Sequence, residues 1–184
     1  MRRLAAAFLG FFVLTQAHAT EAGWALLRDG GRVVLIRHAL AAGSGDPASF
    51  DINKCSTQRN LSDRGKLQAR KMGALFAARA APIDRVLSSR YCRCLDTARF
   101  AFGEGIAEPV EALDPLSGDE AAKEKQKEEI RKLVREFDGS GNLVLVTHQE
   151  NIREVAGISP REGEAVVVRP EGDQLIVIGR IIFN

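Results

Sequence analysis

Three short apolar runs, separated by long stretches of mixed polarity, form the strongest pattern in the chain. They lie within Arg32 to Ile36, Arg85 to Ser89 and Asn142 to Thr147, where leucine, valine and isoleucine follow one another without polar alternation. Runs of this kind are typical of strands covered on both faces, as in a parallel sheet. The pattern therefore predicts three buried parallel strands.

Apolar residues at helical spacing lie between these predicted strands. One such stretch follows Ser62, which is placed to cap a helix, and others span Arg93 to Phe102 and Asp119 to Phe137. The tail, in Ala165 to Val168 and Gln174 to Ile182, predicts a closing pair of strands. The alternation of strands and helices predicts a three-layer α/β/α sandwich with a mostly parallel central sheet.

A long polar segment, Ala41 to Asn60, leaves the first predicted strand at its carboxyl end. Gly43, Gly45 and Pro47 interrupt it, which favours an irregular loop. Sheets of this class bind ligands at the carboxyl ends of their strands. We therefore expect this segment to lie over a ligand site.

The first residues have the composition of an export signal. Two arginines precede an apolar stretch from Leu4 to Leu14, and Ala17-His18-Ala19 has the small-x-small pattern of a cleavage site. The apolar stretch is shorter than the roughly 20 residues that cross a bilayer, and an uncleaved anchor is the alternative. We expect a cleavable signal peptide over residues 1–19, a single domain over residues 20–184, and a periplasmic or secreted protein with no stable membrane span.

The charge balance argues against one class of partner. The chain has 26 lysines and arginines against 24 acidic residues, and the predicted signal peptide contains two of those arginines and no acid. The predicted mature chain is therefore neutral, whereas a nucleic-acid-binding protein would show a basic excess. An anionic ligand must be held by local charge rather than by a global field.

Three cysteines, Cys55, Cys92 and Cys94, bear on the redox compartment. In an exported protein they predict one disulfide and one free thiol. Cys92 and Cys94 are too close in sequence for an easy mutual bridge, so we expect Cys55 to pair with one of them. A metal site is the alternative, but one distant cysteine beside Cys-x-Cys is a poor zinc pattern, and we expect no metal.

Both histidines of the predicted mature chain directly follow an apolar strand. His38 comes after Arg37 at the end of the first strand, and His148 follows the last. The remaining strand leads to Arg93, near the start of a predicted helix. A positive charge is unfavourable there because of the helix dipole, which favours a functional role for this arginine. We expect these side chains to meet and to form a fork-shaped anion site.

Such a site suits phosphoryl transfer. A histidine nucleophile must be neutral, and nearby arginines disfavour its protonated form. The same arginines neutralise the oxygens of the transferring group. A covalent phosphohistidine divides one hard displacement into two easier ones, and a carboxylic acid then has to protonate the leaving oxygen.

Four segments resemble, in order, the motifs of the histidine phosphatase superfamily, which includes the phosphoglycerate mutases. They are Arg37-His38-Ala39, the Leu61 to Ala69 block with Gly65 and Gln68, the Ser88 to Ala98 block with Arg93, and Val146-Thr147-His148. The resemblance extends from about Val33 to Ile152 and implies a phosphoglycerate mutase-like fold that needs no cofactor. It also implies that His38 is the nucleophile and that Arg37, Arg93 and His148 complete the phosphate pocket.

Two further details concern this resemblance. Ala39 stands where the family usually has glycine, and the Thr57 to Leu61 stretch is similar to small exported members, some of which act on phosphorylated lipopolysaccharide core heptose.

Gln149, directly after His148, is expected to bind substrate. For the general acid, Asp114 is the first candidate, Glu150 is the second, and the absence of a dedicated acid is the third possibility.

These observations together predict a metal-independent phosphomonoesterase that acts through a phosphohistidine on a small-molecule or envelope-linked phosphorylated substrate. A phosphoglycerate-type mutase fits less well, because export removes the protein from that metabolism. The alternative from a different class is an envelope protein that binds a phosphorylated ligand with little or no turnover.

Export gives the first testable prediction. The mature protein should begin at Thr20, because Ala17 and Ala19 fit the small-residue requirement of the peptidase. N-terminal sequencing of protein recovered from the cell envelope measures this directly. An intact form beginning at Met1 and recovered from the cytoplasm would contradict the prediction.

Overall fold

The computed structural model describes residues 20–183, so the predicted signal peptide lies outside the described residues. Residues 20–28 are helical and form α1, which the apolar pattern did not predict. Trp24 and Leu27 anchor this helix, since both are buried in the core. Burying two large apolar side chains of this kind contributes several kcal/mol, at about 1.5–3 kcal/mol each.

The remaining elements follow in the order that the apolar runs predicted, with one added strand. They are β1 (Val33–Arg37), α2 (Asp63–Ala78), β2 (Ile83–Ser88), α3 (Cys92–Phe102), β3 (Ala107–Pro109), α4 (Glu120–Arg135), β4 (Asn142–Thr147), α5 (Gln149–Ala156), β5 (Ala165–Glu171) and β6 (Gln174–Ile181). The added strand, β3, has three residues and no buried side chain, and so lacks the apolar run that would have revealed it.

The strands form one sheet in the order β3-β2-β4-β1-β5-β6. The four strands β1 to β4 pair in parallel, whereas β5 is antiparallel to β1 and β6 is antiparallel to β5. The predicted mostly parallel sheet with a closing strand pair is therefore confirmed. All six residues of β4 and the first four of β1 are buried.

Helices cover both faces of this sheet. Val34 and Ile36 of β1 pack with α1, α2 and α3 on one face. Val33 and Leu35, which point the other way along the same strand, pack with α4 and α5. Because every residue of the strand meets a covered face, apolar residues can follow one another without alternation, and the α/β/α sandwich is confirmed.

The start of α2 is fixed by two local contacts. Ser62 caps the helix as predicted, and its hydroxyl accepts a hydrogen bond from the Gly65 amide at 3.1 Å. A Cβ atom on Gly65 would lie only 2.0 Å from the Leu40 carbonyl oxygen, so only glycine allows this approach. The helix is thereby held against the chain that follows His38.

A disulfide joins Cys55 to Cys92, with 5.6 Å between the two Cα atoms. The predicted disulfide is thus confirmed, and of the two possible partners of Cys55 the structure selects Cys92. Cys94 stays free and buried, and burial raises the pKa of its thiol to about 12. The bridge attaches the segment between β1 and α2 to the first residue of α3.

In the part of the chain from 20 to 183, no helix is both long and apolar enough to span a membrane.

The disulfide generates a stability prediction. Replacing Cys55 and Cys92 together by serine should lower the free energy of unfolding by roughly 2–4 kcal/mol, because the bridge restricts the unfolded chain. Urea unfolding of both proteins measures the loss. Reductant should destabilise the wild type and leave the double variant unchanged, and an equal effect on both would count against the bridge.

Candidate active site

Three parallel strands end at one edge of the sheet and bring the predicted site residues together. β4 lies between β2 and β1, and Arg37 pairs with Thr147 at the ends of β1 and β4. The His38 amide donates to the Thr147 carbonyl at 3.0 Å. The rings of His38 and His148 are consequently neighbours, with 5.6 Å between their centroids.

His38 is held in a single tautomer. Its Nδ1 lies 2.8 Å from the carbonyl oxygen of Ala39. A carbonyl oxygen only accepts, so Nδ1 must carry the hydrogen and Nε2 keeps its lone pair. The Ala39 backbone is itself fixed, because its amide donates to the Thr97 hydroxyl at 2.9 Å.

The environment of His38 also keeps the ring neutral. The side chain is buried, and this burial lowers the pKa of His38 to about 4. The hydrogen bond to Ala39 opposes the shift, the charges of Arg93 and Arg37 add to it, and Glu162 opposes it weakly. Neutral imidazole with a free Nε2 lone pair is the form that can attack an electrophile.

Arg93 lies in the first turn of α3 and touches both a histidine and a carboxylate. Its Nη2 is 3.4 Å from Nδ1 of His148, and its guanidinium lies 4.6 Å above the Tyr91 ring. Its Nη1 is 3.1 Å from each carboxylate oxygen of Asp46. Within the described residues its buried Nε has no hydrogen-bond partner.

His148 precedes α5 and is oriented from both ring nitrogens. Arg93 donates toward Nδ1, so Nε2 carries the hydrogen and donates to the Ser89 hydroxyl at 3.0 Å. Burial first, and then the charge of Arg93, lower the pKa of His148 well below its ordinary value. This second histidine is therefore also neutral near pH 7.

Arg37, at the end of β1, is anchored by its other polar contacts. Its Nη1 donates to the carbonyl of Pro160 at 3.0 Å, and its Nη2 lies 3.7 Å from Glu162. Its Nε is buried and has no hydrogen-bond partner in the described part of the chain. Arg37 and Arg93 thus each present an unsatisfied buried N–H group, which an anion could satisfy.

Two side chains near the site were not predicted: Glu162, which borders His38, and Arg59, which pairs with Glu162. Glu162 lies 4.0 Å from His38 Nδ1 and accepts a 2.8 Å hydrogen bond from Arg59. The Arg59 guanidinium also donates to the carbonyls of Ala42 and Gly43 and so holds the loop after β1. Arg59 lies in the stretch noted for its family resemblance, whereas no pattern marked Glu162.

Asp46 was missed as well. It belongs to the 41–60 segment, which was expected to lie over the site, and its ion pair with Arg93 places it there. Its Oδ1 also accepts a hydrogen bond from the Arg59 amide at 2.8 Å. The Gly45-Asp46-Pro47 sequence indicated only a turn, and nothing in it pointed to Arg93.

Asp114, the first candidate for the general acid, lies beside the site with its carboxylate already engaged. Its Oδ1 accepts from the Ser89 hydroxyl and from the Arg90 amide, each at 2.8 Å, and its Oδ2 accepts from Arg90 Nε at 2.7 Å. Through Ser89 it is connected to His148. Its role as an acid stays a prediction, because its placement does not test proton transfer.

Gln149, predicted to bind substrate, and Glu150, the second candidate for the general acid, lie at the start of α5. Gln149 is half-buried as the first residue of the helix, next to His148. Glu150 lines a surface groove with Lys123 and Lys127 of α4. Glu150 thus faces α4, whereas Gln149 follows His148 directly and its substrate-binding role stays a prediction.

The block that follows Leu61 holds the backbone around His38 in place. Gln68 Oε1 accepts from the Leu40 amide at 3.0 Å, and Gln68 Nε2 donates to the Glu162 carbonyl at 2.9 Å. The Gly163 amide in turn lies 3.0 Å from the His38 carbonyl. The chain on either side of His38 is therefore tied to two other loops, which fixes the direction of its ring.

A cavity of about 560 Å³ lies next to these residues. Tyr91, Asp114 and Arg90 form the wall nearest the site, and Phe50 stacks on Tyr91 with 5.0 Å between ring centroids. Tyr91 also contacts the His148 ring at 5.2 Å. Tyr91 and Asp114 thus line the cavity and also connect to His148, Tyr91 by direct contact and Asp114 through Ser89.

Among residues 20–183, no group of three or more histidine, cysteine, aspartate or glutamate side chains is placed to hold a metal ion. Arg37, Arg59 and Arg93 supply positive charge near His148.

Comparison with protein families supports the resemblance in the motifs. Residues 33–117 match the model of the histidine phosphatase superfamily (branch 1). This segment includes Arg37, His38, Arg93 and Asp114. No curated protein matches the chain significantly.

Solved structures share the fold at low sequence identity. The protein histidine phosphatase SixA complexed with tungstate is 20% identical, with a TM-score of 0.59 over 83% of this chain and 97% of that one. The α-ribazole phosphatase from Shigella flexneri is 16% identical, with a TM-score of 0.62 over 83% and 96%. Phosphoserine phosphatase from Entamoeba histolytica, in complex with 3-phosphoglyceric acid, is 14% identical, with a TM-score of 0.58 over 82% and 96%. These likenesses confirm the phosphoglycerate mutase-like fold.

The buried environment of His38 predicts an unusual titration. Its pKa of about 4 means that the neutral ring persists as pH falls through the ordinary histidine range and gains a proton only near pH 4. An NMR titration of the ring resonances, assigned with a His38→Gln variant, measures this midpoint. A midpoint near 6.5 would show that the site is more open to water than the structure indicates.

Proposed function

The chain belongs to the histidine phosphatase superfamily, and from this we propose that it is a phosphoric monoester hydrolase that forms a phosphohistidine on Nε2 of His38. We propose further that it needs no metal ion and that it works in the periplasm or outside the cell. Its substrate is a phosphorylated small molecule or a phosphorylated component of the envelope.

The observation that carries this proposal is the state of His38. The ring is neutral, its Nδ1 hydrogen is fixed on the Ala39 carbonyl, and Nε2 has a free lone pair beside Arg37 and Arg93. Only Nδ1 of the ring is engaged by a hydrogen bond among the described residues, so Nε2 stays available to a ligand. A site that keeps this lone pair available is prepared for nucleophilic attack.

In the first step, Nε2 of His38 attacks the phosphorus while the bond to the leaving oxygen breaks. Arg37 and Arg93 neutralise the charge on the phosphoryl oxygens through guanidinium N–H groups that find no partner among residues 20–183. The leaving oxygen keeps the electron pair and takes up a proton. His148 helps by holding the Arg93 guanidinium in place.

In the second step, water attacks the phosphohistidine and releases inorganic phosphate. The bond between Nε2 and phosphorus breaks, and the electron pair returns to His38. Because the Ala39 carbonyl still holds the Nδ1 hydrogen, the ring regains its starting tautomer without a further proton shift. Two displacements at phosphorus on one histidine therefore complete a hydrolysis.

The source of positive charge supports the proposal that no metal is needed. Two arginines can take the electrostatic role that a divalent ion has in metallophosphatases. In the described part of the chain, His148 is engaged at both ring nitrogens and His38 at Nδ1. A chelator should accordingly leave activity intact.

Location outside the cytoplasm is supported by two independent features. The first residues have the pattern of a cleavable signal peptide. The Cys55–Cys92 disulfide is of a kind that persists in oxidising compartments. An exported phosphatase would meet phosphorylated envelope components and phosphate esters that enter from outside.

An envelope protein that binds phosphorylated ligands without turnover remains the second candidate, and the acid is the observation that favours it. The carboxylate of Asp114 is already bound by Ser89 and Arg90. Turnover of an aryl phosphate separates the two candidates, because a pure binding protein would release no phosphate.

A trapping experiment tests the mechanism. Acid-labile, base-stable phosphoenzyme should accumulate when the wild type is quenched with acid during turnover of 4-nitrophenyl phosphate. His38→Ala should form none, because no other nucleophile is placed at this strand end. His148→Ala should label slowly, since it keeps the nucleophile but loses the contact with Arg93.

The same assay with added chelator tests metal independence. The rate should not change. Activity that disappears with chelator and returns with a divalent cation would overturn the mechanism, as would phosphoenzyme of equal amount in His38→Ala.

A further inference from the structure

We propose that Asp46, on the loop between β1 and α2, is the catalytic acid that protonates the leaving oxygen. This inference rests on the proposed phosphatase function and adds a residue that neither the sequence motifs nor the fold identified. It starts from the contact of Asp46 with Arg93, the arginine that is proposed to hold the transferring phosphoryl group.

The contact is close and partly sheltered. Both oxygens of Asp46 lie 3.1 Å from Nη1 of Arg93, whose side chain is 7% exposed against 23% for Asp46. A phosphoryl group seated on Arg93 would share this guanidinium with the carboxylate. Asp46 is therefore within reach of the reacting group, and its partial exposure allows exchange of protons with water.

A phosphate on Arg93 would also lie against the Asp46 carboxylate. Two anions on one guanidinium repel each other, because like charges that share a site disfavour double ionisation. A carboxylic acid at this position would remove the repulsion and donate a hydrogen bond to a substrate oxygen, which is what an acid catalyst has to do.

The loop that carries Asp46 is held in place rather than free. The Arg59 amide donates to Asp46 Oδ1, and the Arg59 side chain donates to the carbonyls of Ala42 and Gly43. Further along, the disulfide at Cys55 attaches the same segment to α3. Such anchoring keeps a proton donor at a constant distance from the reacting oxygen.

Asp114 is less well placed for the same role. Three donors already occupy its two oxygens, and one of them is the charged Arg90 side chain. Its contacts explain it fully as a support that orients Ser89 and, through Ser89, His148. Asp46 contacts the phosphate-binding arginine directly, whereas Asp114 reaches the site through other residues.

The proton that Asp46 donates in the first step is restored to it in the second. As the bond between Nε2 and phosphorus forms and the bond to the leaving oxygen breaks, the Asp46 proton moves to that oxygen. Asp46 is left as the carboxylate paired with Arg93, which is the arrangement in the structure. When water attacks the phosphohistidine, Asp46 takes up the proton of water and returns to its acid form.

The test compares Asp46→Asn with the wild type on phosphate esters whose leaving groups differ in basicity. For 4-nitrophenyl phosphate, a good leaving group, kcat/KM should change by less than about threefold. For phenyl phosphate and an alkyl phosphate it should fall by about 10²-fold or more, which is the usual contribution of general acid catalysis. The basic limb of the pH profile for the alkyl ester should also disappear.

Three matched variants accompany this comparison. Asp114→Asn tests the competing carboxylate, and Asp63→Asn, at an exposed position on α2, is a control for the substitution itself. Asp46→Glu keeps a carboxylic acid and should restore part of the alkyl phosphate activity. It also covers the case in which Asp46→Asn fails to fold.

Several results would overturn the role of Asp46. Equal losses on all esters, or a leaving-group-dependent loss in Asp114→Asn with none in Asp46→Asn, would overturn it. Faster turnover of all esters in Asp46→Asn would also overturn it and identify the carboxylate as a competitor for Arg93. If the wild type forms phosphoenzyme and Asp46→Asn behaves like the control Asp63→Asn, the role of Asp46 is wrong but the proposed function stands. If the wild type shows no turnover at all, the proposed function is wrong as well.

Discussion

The parallel pairing of β2, β4 and β1 is the constraint on which the site depends. Because the three strands run in the same direction and are adjacent, their carboxyl ends meet at one edge. That edge collects His38 after β1, His148 after β4 and Arg93 just beyond β2. Helices on both faces bury the strands, so the groups at their ends are partly withdrawn from water. The burial that stabilises the sheet therefore also lowers the pKa values of both histidines.

The electrostatic design of the site is a balance between buried guanidinium groups and two carboxylates. Glu162 lies near Arg37 and pairs with Arg59, and Asp46 pairs with Arg93. Buried charges without partners are costly, and these carboxylates stabilise the arginines. In the proposed mechanism, an incoming phosphate would share the arginines with them. The loop after β1, which the disulfide and the hydrogen bonds of Arg59 hold in place, would then influence binding and catalysis directly.

Much of the fold could be predicted because its causes are local. The apolar runs marked β1, β2 and β4, and Ser62 marked the start of α2, since burial on two faces and helix capping depend on a few neighbouring residues. Elements without such local causes were missed. β3 has no buried residue, and α1 is recognised by the core that Trp24 and Leu27 join rather than by a pattern of its own.

The sequence by itself determined that two histidines and two arginines follow strand ends, that Cys55 would bridge to one of two cysteines, and that the fold would be a sandwich. Only the tertiary structure decided which cysteine pairs, since Cys92 faces the loop and Cys94 faces the core. It also decided that Asp46 and Glu162 reach the arginines and that Asp114 is occupied by Arg90. The physical reason is the path of the long loops: strand ends are positioned by the regular geometry of the sheet, whereas a loop side chain finds its partner only after distant segments have packed together.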